Sequence, residues 1–329
     1  MYNRYLITGA TGFLGRAVVD KLQQRGAQVA ALVLPDDPHK DMLSPDVCIV
    51  TGDICSMDSL NEFFANADDK TCVIHCAGIV SVASRPGHKI YQVNVWGTWN
   101  VVRQCLEHQV GKLVYISSVH AIPEKPKGTV ITEECILSPG LVDDDYSKSK
   151  AMATEIVFNA ARQGLNASVV FPSGIIGPGD MQGGSFTSMV KSFIAGRLPF
   201  AVYGGYDFVD VRDVADGILG CAEHADSGRG YILSGHYITI WNMLCIVGKA
   251  VRKCYRPICF PVRLAKFIAK YYEKYSLKRN RKLFFTPYSI AVLASNGQFS
   301  HAAATNRFSY KPRPIENTLK DMALWLRGR

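Results

Sequence analysis

Tyr146 and Lys150 stand four residues apart in Asp143-Asp144-Asp145-Tyr146-Ser147-Lys148-Ser149-Lys150, at the head of a run that continues through Ala153, Ile156 and Val157 at helical spacing. On a helix both side chains share one face. A free phenol has a pKa of about 10 and exchanges its proton poorly near neutrality. An ammonium beside it favours phenolate and draws that pKa toward working pH, which is what a general acid or base requires. Taken alone, the pair reads equally as an ordinary surface pair of a helix. A third group, Ser118, follows the apolar stretch 112–116 and offers a hydroxyl that can donate to a substrate oxygen.

A second stretch, at the N-terminus, offers a seat for a phosphate-bearing ligand. Thr8-Gly9-Ala10-Thr11-Gly12-Phe13-Leu14-Gly15 follows the apolar run Tyr5-Leu6-Ile7 and opens the helical pattern Ala17-Val18-Val19 to Leu22. Gly9 can take the φ of a tight turn, Gly12 lets backbone approach a pyrophosphate, and Gly15 lets the helix pack close to the strand. The anion then sits on unpaired amides at the helix N-terminus. Glycines before a helix also serve turn geometry alone, so the elements further on decide between the two uses.

Those elements alternate. Residues 28–34 form an apolar strand whose end is where such folds recognise the adenosine ribose, and 47–50 form another, ending in Gly52-Asp53-Ile54. Cys72-Val73-Ile74-His75-Cys76-Ala77-Gly78 is a buried strand ending in small residues, with His75 a packed histidine in preference to a catalyst. Asn94 opens a helical segment through Val95, Val101, Val102 and Cys105, and the proline-rich stretch between Ser118 and Tyr146 reads as a loop over the site. Strand and helix patterns through Phe171 predict an α/β fold, a doubly wound parallel sheet with ligands at the carboxyl ends of its strands. The expected division is a dinucleotide-binding domain over 1–172 and a smaller, mainly substrate-binding domain over 173–329, with segments near 206–240 returning to the core.

The Gly-x-x-Gly-x-x-Gly spacing, joined to Ser118, Tyr146 and Lys150, resembles the extended short-chain dehydrogenases/reductases, the NAD-dependent epimerase/dehydratase superfamily. Val209-Asp210-Val211-Arg212-Asp213-Val214-Ala215 is similar to the corresponding string of dihydroflavonol reductases and 3β-hydroxysteroid dehydrogenases. Nucleotide-sugar epimerases tend to carry Arg-x-x-Asn-x-Tyr-Gly after the strand ending at Phe171, where this chain has Pro172-Ser173-Gly174-Ile175-Ile176-Gly177-Pro178. The resemblance therefore implies hydride transfer between nicotinamide and a ketone, aldehyde or secondary alcohol, apolar and steroid- or flavonoid-like, or a small carbonyl compound. The alternatives are a nucleotide-sugar epimerase or dehydratase and a non-catalytic cofactor-sensing scaffold; the complete trio argues against the scaffold.

What the resemblance implies for the site is specific. Cofactor contacts fall to Gly9, Thr11, Gly12, Phe13, Leu14, Gly15, Leu34, Asp53, Ile54, Ala77, Gly78, Asn94, Tyr146, Lys150, Pro172, Ser173 and Ile175, and substrate contacts to Val80, His120 and Gly174. Leu34 stands where an Arg often grips the 2′-phosphate of NADP, and Asp36 and Asp37 would repel one, so NAD is the expected cofactor; His39 and Lys40 leave NADP open. A homodimer paired through the helices starting near Asn94 and Tyr146 is also implied.

Composition sets the outer limits. The chain has 329 residues, 48% of them apolar, with no secretory leader pattern and no apolar run of the roughly 18 residues a membrane span needs, so a cytoplasmic protein is expected. Ten cysteines without a Cys-x-x-Cys pair, including Cys48, Cys72 and Cys76 inside apparently buried strands, read as reduced and metal-free. The excess positive charge is local: residues 249–282 hold twelve Lys or Arg and one acid, Glu273, in a chain with 37 basic and 28 acidic residues. Within it, Val262-Arg263-Leu264-Ala265-Lys266-Phe267-Ile268-Ala269-Lys270-Tyr271-Tyr272 mixes apolar and cationic residues at helical spacing. That pattern fits a solvated lid helix over an apolar substrate, or a helix lying on an anionic membrane or an acidic partner. No nucleic-acid module accompanies the charge, so no nucleic-acid partner is expected.

Overall fold

In the computed structural model, which describes residues 2–80, 87–134, 137–198, 200–253, 257–278 and 286–328, the N-terminal half alternates strand and helix. The order is β1 (Arg4–Thr8), α1 (Phe13–Gln24), β2 (Gln28–Val33), β3 (Cys48–Thr51), α2 (Met57–Phe64) and β4 (Thr71–His75). There follow α3 (Lys89–Tyr91), a π-helical turn (Gln92–Gly97) leading into α4 (Thr98–Glu107), β5 (Lys112–Ile116), α5 (Asp145–Arg162) and β6 (Ala167–Pro172). The second half holds β7 (Gly174–Ile176), α6 (Ser185–Ile194), β8 (Phe200–Val202), β9 (Gly205–Asp210), α7 (Val211–His224), β10 (Gly230–Leu233), β11 (His236–Thr239) and α8 (Ile240–Ala250). It closes with β12 (Ile258–Phe260), α9 (Val262–Lys278), α10 (Pro287–Val292), α11 (Ala302–Phe308) and α12 (Ile315–Arg327).

Seven strands form one sheet in the order β10-β6-β5-β4-β1-β2-β3, every pair parallel. The period of two along each strand explains its burial. Tyr5 and Ile7, Cys72 and Ile74, and Val114 and Ile116 face one core, while Leu6, Val73, Leu113 and Tyr115 face the other. Apolar side chains on both faces need helices on both faces, which is the doubly wound arrangement expected. The chain runs outward from β1 to β3 and then returns to β4 on the other side of β1, so strand order reverses between Thr8 and His75, which are register partners. A crevice at the carboxyl ends of those two strands is the ligand position of such folds.

Two local features differ from the sequence reading. The helix over Asn94 begins at Lys89, and Asn94 lies inside the π-helical turn instead of capping a helix. Cys48 is exposed, because β3 is the edge strand, whereas Cys72 is buried. The seventh strand, β10 (Gly230–Leu233), pairs with β6 and so carries the sheet past residue 172 into the segment near 206–240.

After β6 the chain builds smaller units: a mixed sheet β11-β9-β7 and a parallel pair β12-β8. The Val-Asp-Val-Arg-Asp string turns out to be structural cement. Asp210 caps α7 by accepting from the Arg212 N–H at 2.8 Å, Arg212 pairs with Asp210 and Asp321, and Asp213 pairs with Arg313, which fastens α7 to the C-terminal segment. Of the basic stretch 249–282, residues 254–256 and 279–282 lie outside the described residues.

Candidate active site

The glycine turn divides its labour as its spacing suggests. Gly9 has φ +68°, and a Cβ on it would lie 2.7 Å from the Ala77 nitrogen, so β1 and β4 close on each other only without a side chain there. A Cβ on Gly15 would lie 2.0 Å from the Gly9 carbonyl oxygen, which makes this glycine a packing requirement. Gly12 differs: its nearest neighbour would be the Gly9 oxygen at 3.2 Å, and the protein leaves the remaining space in front of it open. Gly12 precedes helix α1 without a side-chain cap, and no acid stands in its first turn, whereas α5 and α7 are capped by Asp144 and Asp210. Free amides and an open approach at one helix start are what a dinucleotide pyrophosphate needs, and these residues fit it.

Around that turn, the Thr11 hydroxyl donates to Asp37 at 2.5 Å, and the Asp37 carboxylate also accepts from the His39 N–H at 2.8 Å. Burial alone would raise the Asp37 pKa, but these hydrogen bonds and the His39 charge overcome it and hold the group below the usual carboxylate range. Leu34 and Asp36 are exposed at the end of β2; Phe13 and Leu14 are half-buried at the start of α1. Asp53 accepts from the Cys55 N–H at 2.9 Å, and Ile54 is buried against Gly97 with its carbonyl accepting from Asn100 at 2.8 Å.

The trio is built by α5 and the end of β5. Asp144 accepts from the Ser147 N–H at 2.9 Å and so fixes the first turn of α5, from which Tyr146 and Lys150 both point into the protein and are buried. Lys150 Nζ donates to the Ile116 carbonyl at 2.8 Å and to the Tyr115 hydroxyl at 3.4 Å, lying 5.0 Å from the centre of that ring. Ser118 opens a short 3-10 turn (Val119–Ala121), where its hydroxyl accepts from the His120 N–H at 3.2 Å. Gly78 faces the same point: a Cβ there would stand 3.3 Å from Lys150 Nζ and 3.2 Å from Asn94 Oδ1.

The electrostatics of the free protein reverse one expectation. Burial pushes the Tyr146 phenol up to about 12; a hydrogen bond from Ser118 pulls it down and the Asp144 charge adds to the rise. Burial also brings the Lys150 amine down to about 8, with Cys76 opposing. Lys150 donates to Ile116 and Tyr115 and not to the phenol, and burial sets the net rise of the Tyr146 pKa, which spacing on a helix does not foretell.

Asn94 is spent on the protein. Its amide accepts from the Ile79 N–H at 2.7 Å and donates to the Ile79 carbonyl and to Ser149, both at 3.0 Å, which ties the end of β4 to α5. His75 is fully buried between Thr8, at 2.6 Å, and Thr98, at 3.0 Å, and burial lowers its pKa to about 3, so it is a neutral packed residue. Pro172, the last residue of β6, and Ser173 are buried, and Ile175 is half-buried. Val80 is 75% exposed, and Gly174 is required by the Phe208 ring, 2.7 Å from where its Cβ would be.

His120 sits among aromatic rings: stacked on Tyr206 at 5.7 Å, edge-on to Tyr146 at 6.0 Å, and 6.4 Å from Tyr288. Tyr115, Tyr206, Tyr288 and Asp144 are site residues that sequence reasoning missed. Asp144 had a signal, an acid three residues before Ser147 at a helix start. Tyr115 had one only through its place just before Ser117-Ser118, and Tyr288 had none. A separate groove of about 1140 Å³ beside β10, between Phe158, Arg229 and Arg307, contains none of the trio.

Comparison with known proteins agrees with this geometry. The NAD dependent epimerase/dehydratase family matches residues 5–234. Sterol demethylase protein B of Methylococcus capsulatus is 27% identical over 328 residues, covering 98% of each chain. The 3beta-hydroxysteroid-dehydrogenase/decarboxylase isoform 1 of Arabidopsis thaliana is 29% identical over 357 residues, covering 96% of this chain and 77% of the relative. Among solved structures, that of gox2253 superposes with a TM-score of 0.85 at 27% identity, covering 99% of this chain and 98% of the other. With its glycine turn, parallel sheet and buried Tyr146 and Lys150, the chain belongs to the NAD dependent epimerase/dehydratase family, as an NAD(P)-dependent enzyme of the extended short-chain dehydrogenase/reductase type on the dihydroflavonol reductase and 3β-hydroxysteroid dehydrogenase branch.

Proposed function

We propose that this oxidoreductase interconverts a secondary alcohol and a ketone on an apolar, ring-containing substrate, with Tyr146 as the acid and base. The observation that carries the reading is the buried Tyr146 phenol, hydrogen-bonded by Ser118, with Lys150 one helical turn behind it and the rings of His120, Tyr206 and Tyr288 beside it. A bound nicotinamide cofactor supplies or accepts the hydride and, when oxidised, brings a positive charge into the site.

In the reducing direction, Ser118 donates to the carbonyl oxygen and holds it against Tyr146, whose proton passes to that oxygen as hydride reaches the carbon. The phenolate left behind is favoured by the positive ring of the oxidised cofactor, with the Lys150 ammonium held one turn along α5 by Ile116 and Tyr115. Oxidation runs the same steps backward. Aromatic walls favour an apolar ring system over a sugar diphosphate, and the sterol-related names of two relatives point the same way.

The cofactor preference follows from Leu34, which has no charge to offer a 2′-phosphate, and from Asp37, whose carboxylate is held beside the glycine turn by Thr11. NAD should bind roughly tenfold tighter than NADP. Residues 1–172 with β10 hold the cofactor, and the segments after β6 close over the substrate. A homodimer is supported by Trp96 (63% exposed), Trp99 and Met152, large apolar side chains left in water on the α4 and α5 side. Light scattering reporting a monomer at micromolar concentration would remove the dimer. The activity is tested by following reduced nicotinamide absorbance with each cofactor against ketones, aldehydes, hydroxysteroids and nucleotide sugars; turnover confined to nucleotide sugars would replace this reading.

A further inference from the structure

Helix α9 is packed with its small residues inward and its large ones outward. Ala265 and Ala269 are buried against Ile290, Val202 and Val262. Leu264, Phe267, Ile268 and Tyr271 are 45%, 59%, 49% and 62% exposed. Positions i, i+3, i+4 and i+7 form one continuous stripe, and a helix resting only against water and its own protein would carry these residues on the buried side. Arg263 and Lys270 are exposed on the same helix. The segment around it, 249–282, carries twelve cations and one acid. Among the described residues, no helix is long and apolar enough to cross a membrane.

We propose that α9 lies on the surface of an anionic lipid bilayer, its Leu264, Phe267, Ile268 and Tyr271 stripe entering the headgroup–acyl boundary while Arg263 and Lys270 meet lipid phosphates. A high apolar stripe flanked by cations, on a helix that cannot span, is the pattern of an interfacial helix. Other occupants fit less well. Nucleic acid uses the charge but has no use for an aliphatic stripe. A second copy of the chain would set two strongly basic segments against each other. An acidic protein groove matches the charge, and the experiment separates it. The docking does not depend on the proposed reaction.

The test is co-sedimentation of the full chain with vesicles of phosphatidylcholine, with and without phosphatidylglycerol. The wild type should pellet with the anionic vesicles and at least about tenfold less with the neutral ones, the difference fading with salt. Phe267→Ser with Ile268→Ser should weaken binding by about tenfold or more, and so should Arg263→Glu with Lys270→Glu. Both pairs are exposed, so thermal unfolding should be unchanged; if the serine pair unfolds, Leu264→Ser serves instead. Failure to pellet with either vesicle would overturn the proposal, and so would equal pelleting with both. A mass in light scattering that falls with the serine pair would assign the face to self-association. Equally tight binding to soluble polyglutamate would assign it to an acidic protein.

Discussion

Lys150 Nζ donates to the Ile116 carbonyl oxygen at 2.8 Å, which ties the ammonium to the last residue of β5 one turn along α5 from the Tyr146 phenol. The lysine is thereby held by backbone and by the Tyr115 ring before any ligand arrives. Burial, opposed by the Ser118 hydrogen bond, leaves the Tyr146 phenol raised in the free protein.

The phenol should ionise late in the free protein. Subtracting the ultraviolet pH titration of Tyr146→Phe from that of the wild type should reveal a phenol with a midpoint near 12. NAD+ should lower that midpoint by about one unit or more, because a positive ring favours phenolate. A midpoint that does not move with NAD+ would contradict the proposed activation of Tyr146.

Lys150 makes stability depend on alkaline pH. Its folded pKa of about 8 lies below the free value of 10.5, so between those limits the unfolded chain binds the extra proton and stability rises with pH. The contribution is on the order of 3 kcal/mol across the window. In denaturant unfolding, wild type minus Lys150→Met should therefore shift in favour of wild type from pH 8 to 10.5. A difference flat across that window would show that the lysine is solvated in the folded state.

Gly12 and Gly15 should fail in different ways when changed to alanine. Gly15→Ala must move the Gly9 carbonyl and should cost several kcal/mol or prevent folding, while Gly12→Ala asks only a few tenths of an ångström of its neighbour. Gly12→Ala should melt close to wild type yet bind reduced cofactor at least about tenfold more weakly, read by fluorescence titration. Unchanged affinity would mean that the open face of Gly12 is not the pyrophosphate seat.

His120 should act by shape. Burial lowers its pKa from the ordinary histidine value against the pull of Asp144 and Glu124, which favours the neutral ring. His120→Ala should raise KM about tenfold through the lost stacking partner while changing kcat less. A limb in the kcat/KM profile at an ordinary histidine pKa that disappears in His120→Ala would instead make it an acid or base.

Much of the frame is legible in the sequence because it rests on local patterns. Alternation in Tyr5-Leu6-Ile7 and in Leu113-Val114-Tyr115 sets which core each side chain meets, and the glycine spacing carries the turn, the approach and the close packing in three positions. Tyr146 and Lys150 share a helix face by spacing alone. What spacing does not carry is partnership across the sheet. Lys150 meets Tyr115 and Ile116 through the packing of α5 on β5, and Tyr288 reaches His120 from a stretch with no periodic signal. The helix start at Lys89 and the π-helical turn over Gln92–Gly97 carry no capping side chain that would mark them in sequence, and the rise of the Tyr146 pKa depends on burial that only the folded chain defines.

The central claim is that Tyr146 moves the proton when hydride moves. Its most direct test is turnover of Tyr146→Phe on the best substrate found, with cofactor affinity measured on the same protein. Phe keeps the ring and its packing against His120 and has no proton to give, so turnover should fall by at least about a thousandfold while cofactor affinity stays within about twofold of wild type. A variant retaining more than a few per cent of wild-type turnover would contradict the role assigned to Tyr146.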